Sequence, residues 1–202
     1  MTHSIIENIF AGKARFGIMR CLYGATQALT GREIARRAGL SPQQAHNVLK
    51  GLVSFGVVEL KIAAPSHLFS LNRRHWIVAD VARAIFDGEK NWLDNMLREL
   101  CRTLPASVKS LVLFGSAARG QLRGASDIDI LALIENDKYR DEAFSYFTGR
   151  SAWALAHCHY PLAPVVLTLG EFRAKYRQKD DFVRTVLKTG RVVAGKLMTE
   201  VL

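Results

Sequence analysis

Leu111-Val112-Leu113-Phe114-Gly115-Ser116-Ala117-Ala118-Arg119-Gly120, followed by Ser126-Asp127-Ile128-Asp129-Ile130-Leu131, is the stretch whose reading decides the fold. Its first part is an apolar run that stops at Gly-Ser, the pattern of a buried strand ending in a turn. The second part reads as another buried strand, opened by two aspartates one residue apart. Side chains alternate across a strand, so Asp127 and Asp129 point one way and Ile128 the other. Two carboxylates on one face can hold a pair of divalent ions about 3.5–4 Å apart. Gly115 allows a tight turn, and Ser116 falls at the N-terminus of a short helix, where free N–H groups favour phosphate. A phosphate cradle beside metal-binding carboxylates is the chemistry of a nucleoside triphosphate site. The plainer reading is a Gly turn between core strands, with Asp127 capping and Asp129 solvated. Against it, an Asp-x-Asp inside an apolar run costs desolvation energy unless a cation or donors compensate.

Working outward, 202 residues with 49% hydrophobic content suit one or two small folded domains. No apolar run approaches the ~20 residues of a membrane span. Met-Thr-His-Ser-Ile-Ile-Glu-Asn lacks the basic-then-apolar form of a signal peptide. Cys21, Cys101 and Cys158 are scattered without metal spacing, so reduced thiols and a cytoplasmic location are expected. The charge of +10 is uneven: residues 1–74 hold ten basic side chains against Glu7, Glu33 and Glu59, for a net +7. That excess suits a polyanionic partner for the N-terminal part.

Phe16, Met19, Leu22 and Tyr23 have helical spacing over 14–23. Thr30-Gly31-Arg32-Glu33 is a capping-box pattern starting a helix over 31–38, stopped at Gly39. Ser41-Pro42-Gln43-Gln44 repeats the device for a helix running to about Ser54, with Ala45, Val48, Leu49 and Leu52 as its core stripe. Gln43, Gln44, His46, Asn47 and Lys50 are left outside. Two short helices joined by a Gly turn describe a helix-turn-helix. A hairpin over 57–62 and 68–72, turning through Ala63-Ala64-Pro65-Ser66-His67, would be a wing. Gln43, Gln44 and Asn47 could reach base edges, with Arg32, Arg36, Lys50 and Lys61 nearer phosphates. A wet face used for docking or dimerisation is the alternative.

Residues 73–104 read as helical with an interruption at Asp87-Gly88. One stripe is Ile77, Val81, Ala84 and Ile85; the other is Trp92, Leu93, Met96, Leu97 and Leu100. Strands over 108–114, 127–134 and 162–169 then alternate with helices over 139–157, after Thr168-Leu169-Gly170-Glu171, and over 181–187. The outcome is a small mixed α/β (α+β) sheet with helices packed on it. The expected organisation is 1–74 winged helix, 75–104 connector and 105–202 catalytic-type domain. His157-Cys158-His159 lacks zinc spacing and reads as a helix-end cluster.

Gly115-Ser116, Arg119-Gly120 and Ser126-Asp127-Ile128-Asp129 together resemble the signature of minimal nucleotidyltransferases of the polymerase-β-like superfamily. Ile34-Ala35-Arg36-Arg37-Ala38-Gly39-Leu40-Ser41 and its surroundings resemble the winged-helix domains of bacterial regulators. The first resemblance implies Mg²⁺ (or Mn²⁺) on Asp127 and Asp129. It also implies an NTP held by Gly115, Ser116, Arg119 and Ser126, and transfer of NMP to a protein, RNA or small-molecule hydroxyl. Active members add a third carboxylate from a later strand. Here Pro161–Leu169 contains none, and Ala163 falls about where that group would stand. The second resemblance implies double-stranded DNA and a homodimer on two half-sites.

Two functions follow. One is a nucleotidyltransferase coupled to DNA binding. The other is a transcriptional regulator whose second domain only senses nucleotide or has lost catalysis. Minimal nucleotidyltransferases also occur in toxin–antitoxin pairs, which adds a cognate toxin as a partner on resemblance alone.

Overall fold

The computed structural model describes residues 4–64, 66–122, 124 and 126–202. The chain divides into two units, Met1–Trp92 and Leu93–Leu202. In the first, α1 (Ile5–Phe10) and α2 (Lys13–Tyr23) precede the two-residue β1 (Leu29–Thr30). Then come α3 (Gly31–Ala38), α4 (Pro42–Ser54) and the hairpin β2 (Val58–Ala63) and β3 (Ser66–Leu71). Of these, α2, α3, α4 and the hairpin follow the sequence patterns, whereas α1 and β1 do not appear in them. Six residues are too few to display a helical period, and β1 is a strand only by pairing Leu29 with Phe69 and Thr30 with Leu68.

Cap chemistry sets the helix starts. The Ser41 hydroxyl accepts the Gln44 N–H at 3.2 Å, and the Gln44 side-chain oxygen accepts the Ser41 N–H at 3.1 Å. Only half of the Thr30 box forms. Thr30 Oγ1 accepts from the Glu33 N–H at 3.3 Å, but the Glu33 carboxylate turns to Arg37 at 2.5 Å. Gly39 ends α3 at φ +66°, a conformation cheap for glycine alone. Ile18, Met19 and Leu22 of α2, Ile34 of α3, Leu49 and Leu52 of α4, and Val58, Phe69 and Leu71 of the hairpin meet in one core. The hairpin turn is shorter than expected, because Ala63, Ser66 and His67 join the strands. Pro65, part of the expected wing loop, lies outside the described residues.

The expected break at Asp87-Gly88 is absent. A π-helical stretch over Ile77–Ala82 runs into α5 (Arg83–Cys101), which continues through both residues. Gly88 costs about 1 kcal/mol in a helix interior, and Asp87 offsets this by accepting the Tyr23 hydroxyl at 2.8 Å and pairing with Arg83 at 3.6 Å. The wider π turn also shifts the buried stripe to Ile77, Val78, Ala82 and Phe86, leaving Ala84 exposed.

In the second unit, β4 (Val108–Leu113) leads through α6 (Gly115–Ala118) to β5 (Ile128–Ile134). α7 (Arg140–Cys158), β6 (Leu162–Thr168), α8 (Leu169–Arg177), α9 (Asp181–Thr189), β7 (Arg191–Gly195) and α10 (Met198–Val201) follow. The sheet order is β6-β5-β4-β7, with β5 parallel to β6 and β4 antiparallel to β5 and β7. This is the mixed sheet expected, extended by β7 and α10. Every residue of β5 is buried except Asp129. Val112, Leu131, Leu133, Phe172, Val183 and Val186 form a core in this unit. His157 Nδ1 lies 2.8 Å from the Trp153 carbonyl, and His159 ends α7 at φ +58°, so the His-Cys-His cluster belongs to a helix end. No helix among the described residues is long and apolar enough to cross a membrane.

Candidate functional site

β4 and β5 are paired side by side, Leu113 opposite Ile130, so the turn leaving β4 stands beside the start of β5. The Phe114 N–H donates to the Asp129 carbonyl at 3.0 Å and fixes that approach. Gly115 then takes φ +69°, and a Cβ built on it would lie 1.9 Å from Asp129 Oδ2 and 2.8 Å from Cγ. Glycine is required here twice over: once for the backbone, once because the Asp129 carboxylate fills the space of a side chain. The Ser116 carbonyl accepts the Arg119 N–H at 3.2 Å and the Gln121 N–H at 2.9 Å, which closes the turn.

Asp129 is half-buried and Asp127, just ahead of β5, is exposed. Burial pushes the Asp129 carboxyl above the ordinary carboxylate range; the negative charge of Asp127 adds to this, and Arg119 opposes it. The two acids and Arg119 therefore share one electrostatic neighbourhood. A half-buried carboxylate repelled by a neighbouring one is what a bound cation relieves. Gly115, Ser116, Arg119, Asp127 and Asp129 come together, with Ser116 and Ser126 half-buried and Arg119 exposed. Two residues not singled out in the sequence also support the turn. The Gln121 side-chain oxygen accepts from Arg119 Nε at 3.3 Å, and Phe182 of α9 sets its ring edge on Phe114 at 5.3 Å. Polar residues after the Arg-Gly pair were the only signal for the first, and nothing local marks the second.

Beside Asp129 on the parallel neighbour β6 stands Ala163, its register partner. Adjacent residues of paired strands face the same side, so the position across from Asp129 carries a methyl group. Glu171 is committed elsewhere: it accepts the Thr168 N–H at 2.7 Å and Arg140 Nη2 at 2.8 Å, and these bonds lower its pKa. Glu135 pairs with Lys109 at 3.2 Å. Among the described residues, no group of three or more His, Cys, Asp or Glu side chains is gathered for a metal.

On the winged helix, Arg32, Arg36, Gln43, Gln44, Asn47, Lys50 and Lys61 are all exposed. Gln43 Nε2 donates to Asn47 Oδ1 at 3.1 Å, which pre-orients that pair on α4. The side-chain oxygen of Gln44 serves the cap, leaving its amide N–H₂ group as a donor.

Comparison with known proteins matches the IclR helix-turn-helix domain over residues 16–61 and the nucleotidyltransferase domain over residues 93–193, half of the chain. A solved toxin–antitoxin structure with AMP-PNP shares 18% identity, covering 54% of this chain and 77% of that one, with a TM-score of 0.34. A mutant of the toxin–antitoxin MntA-HpeT shares 16% identity, covering 54% and 76%, with a TM-score of 0.33. No curated protein matches. A Gly-Ser turn closed on an aspartate pair, in a mixed sheet that the family model spans, sits behind a helix-turn-helix: the chain belongs to the nucleotidyltransferase domain family and carries an IclR-type helix-turn-helix ahead of that domain.

Proposed function

We propose that the chain is a DNA-binding nucleotidyltransferase that moves an NMP from an NTP to an acceptor hydroxyl. The observation that carries this reading is the Asp129 carboxylate lying in the space of the missing Gly115 side chain, with Asp127 raising its pKa further. Asp127 and Asp129 would hold Mg²⁺ (or Mn²⁺), which when bound neutralises triphosphate charge. The Gly115-Ser116 turn holds the β- and γ-phosphates, with the Ser116 and Ser126 hydroxyls and Arg119 as further donors. The acceptor oxygen attacks the α-phosphorus, its proton leaves to base, and pyrophosphate departs. Such catalysis is mostly positioning and charge stabilisation. The base must come from the acceptor, water or a partner, because Ala163 supplies none. Gln43, Gln44 and Asn47 read base edges, while Arg32, Arg36, Lys50 and Lys61 hold phosphates. A homodimer in the cytoplasm, with a toxin or other protein or RNA as acceptor, completes the proposal.

Ala163 beside Asp129 favours a second reading, in which the domain binds Mg²⁺–NTP and reports it to the DNA-binding half without transfer. Labelled NTP incubated with the purified protein and candidate acceptors tests both. Transfer by wild type that Asp129→Ala abolishes supports the enzyme. Nucleotide binding that shifts DNA affinity, with no transfer, supports the sensor.

A further inference from the structure

The two outer strands of the nucleotidyltransferase sheet, β6 and β7, end it in opposite ways. On β6 the outward backbone groups are used up. The Leu162 N–H and C=O both bond the Ser151 hydroxyl at 3.0 Å, and Pro164 has no N–H. The Val166 carbonyl accepts Arg140 Nη1 at 3.1 Å, and the Thr168 N–H donates to Glu171 at 2.7 Å. A further strand finds no free row of donors and acceptors there.

β7 is open. Backbone groups point to alternate sides along a strand. The Phe114 N–H turns to Asp129 on β5, and the Lys109 carbonyl accepts the Lys196 N–H just beyond β7. Leu111 and Leu113 therefore bond towards β7, and Val112 towards β5. Val192 is the register partner of Val112, so its own N–H and C=O point away from the sheet. Among the described residues, no side chain and no further strand meets them.

A cleft of about 350 Å³ runs along this edge, walled by Leu97, Arg98 and Cys101 of α5 and by Arg191, Val192 and Val193 of β7. Asp94, the acid on its rim, is paired with Arg191 at 2.7 Å. Arg98 is exposed and donates to Asn95 at 2.6 Å, with no carboxylate partner among the described residues. Lys196 is exposed at the end of the strand. The surplus charge along the edge is positive.

Arg191 and Val192 lie on opposite faces of the sheet. Arg191 stands opposite Leu113, whereas Val192 stands opposite Val112, which packs with Leu131 and Phe172. Asp129 shares the face of Leu131, so the cleft under α5 is on the other side of the sheet from the carboxylate pair. Two copies joined antiparallel through Val192 would set Arg191 diagonal to its equivalent, each beside an Arg98. Like charges that close oppose pairing. Val193, the extra residue at the register shift, bends the edge and restricts pairing to a short run.

We propose that β7 is a docking edge for a short extended segment of a partner protein in which acidic and apolar side chains alternate. The segment adds a strand to the sheet, its backbone bonding the Val192 N–H and C=O. Its carboxylates lie on the α5 side, at Arg98 and Arg191, and its apolar side chains lie on the side of Val192. Main-chain bonds supply affinity, and the cations select the charge of the partner.

The test is selection of a displayed library of random peptides, about eight residues long, on the full chain, followed by fluorescence anisotropy of the enriched peptides. Enriched sequences alternate Asp or Glu with Val or Ile. Val192→Pro removes the outward N–H, leaves the ladder to β4 intact, and lowers their affinity by about tenfold. Arg98→Glu, a change at an exposed position, lowers it by about tenfold and turns selection towards basic peptides. Both variants keep the wild-type rise in Tm with Mg²⁺–ATP. Three outcomes overturn the proposal: no enrichment, enriched peptides without acids, or affinity that neither variant lowers. A wild-type dimer in sedimentation that Val192→Pro dissolves makes a second copy the occupant and also overturns it.

Discussion

The winged helix and the nucleotidyltransferase domain treat charge in opposite ways. On the first, Arg32, Arg36, Asn47 and Lys50 stand exposed on a solvated face. In the second, Asp129 is half-buried, its carboxylate fills the space beside Gly115, and Asp127 repels it. Exposed cations cost little to place and little to lose, so their pattern alone is weak evidence of function. A half-buried acid facing a like charge destabilises the empty fold, and such cost concentrates at working sites. The carboxylate pair therefore says more about purpose than the larger basic face does.

Gly115→Ala attacks the contrast hardest. The new Cβ would collide with Asp129 Oδ2, and φ +69° adds roughly 1–2 kcal/mol of strain. The expected result is a fall of at least about 100-fold in transfer or in NTP affinity, read by labelled NTP and titration, with DNA binding retained. Wild-type behaviour would mean that the turn and the acids do not work together. Ala163→Asp follows: a carboxylate added beside Asp129 should raise transfer by about 10²-fold, within the range of a positioned base. No gain would locate the deficit elsewhere than β6. On the solvated face, Asn47→Ala should cost about 1–3 kcal/mol for a selected duplex and little for a scrambled one. Equal loss on both would make Asn47 a phosphate contact.

The smallest effect tests the energetic claim directly. Because the folded pKa of Asp129 is raised, the native state is favoured when this group is protonated. That advantage is full below the ordinary Asp range and is lost as pH rises through the folded value. At pH 7 without nucleotide, Asp129→Asn should therefore melt a few °C above wild type, and the gap should shrink towards acid pH. Saturating Mg²⁺–ATP should reverse the order by stabilising wild type alone. A variant less stable than wild type at pH 7 would remove the claim that the pair is strained.

Much of this molecule is written locally. The Ser41–Gln44 and Thr168–Glu171 boxes form as their spacing requires, because a cap uses only residues three apart. The apolar runs around Gly115 and Asp129 are strands flanking a turn, since period and glycine are short-range signals. β7 was not legible: Arg191–Gly195 becomes a strand by pairing with β4, a partner about eighty residues away. Nor was the π turn at Ile77–Ala82, which moves the buried face from Ala84 to Phe86.

From the sequence alone came the two domain types, the aspartate pair and the absence of an acid in the strand around Ala163. Tertiary structure alone decided that Ala163 stands beside Asp129, that the Asp129 carboxylate occupies the place of a Gly115 side chain, and that α3, α4 and β3 border one concavity. Helix caps and strand periods depend on neighbours within a turn or two. Register between strands, and the space left around a carboxylate, depend on how distant segments pack.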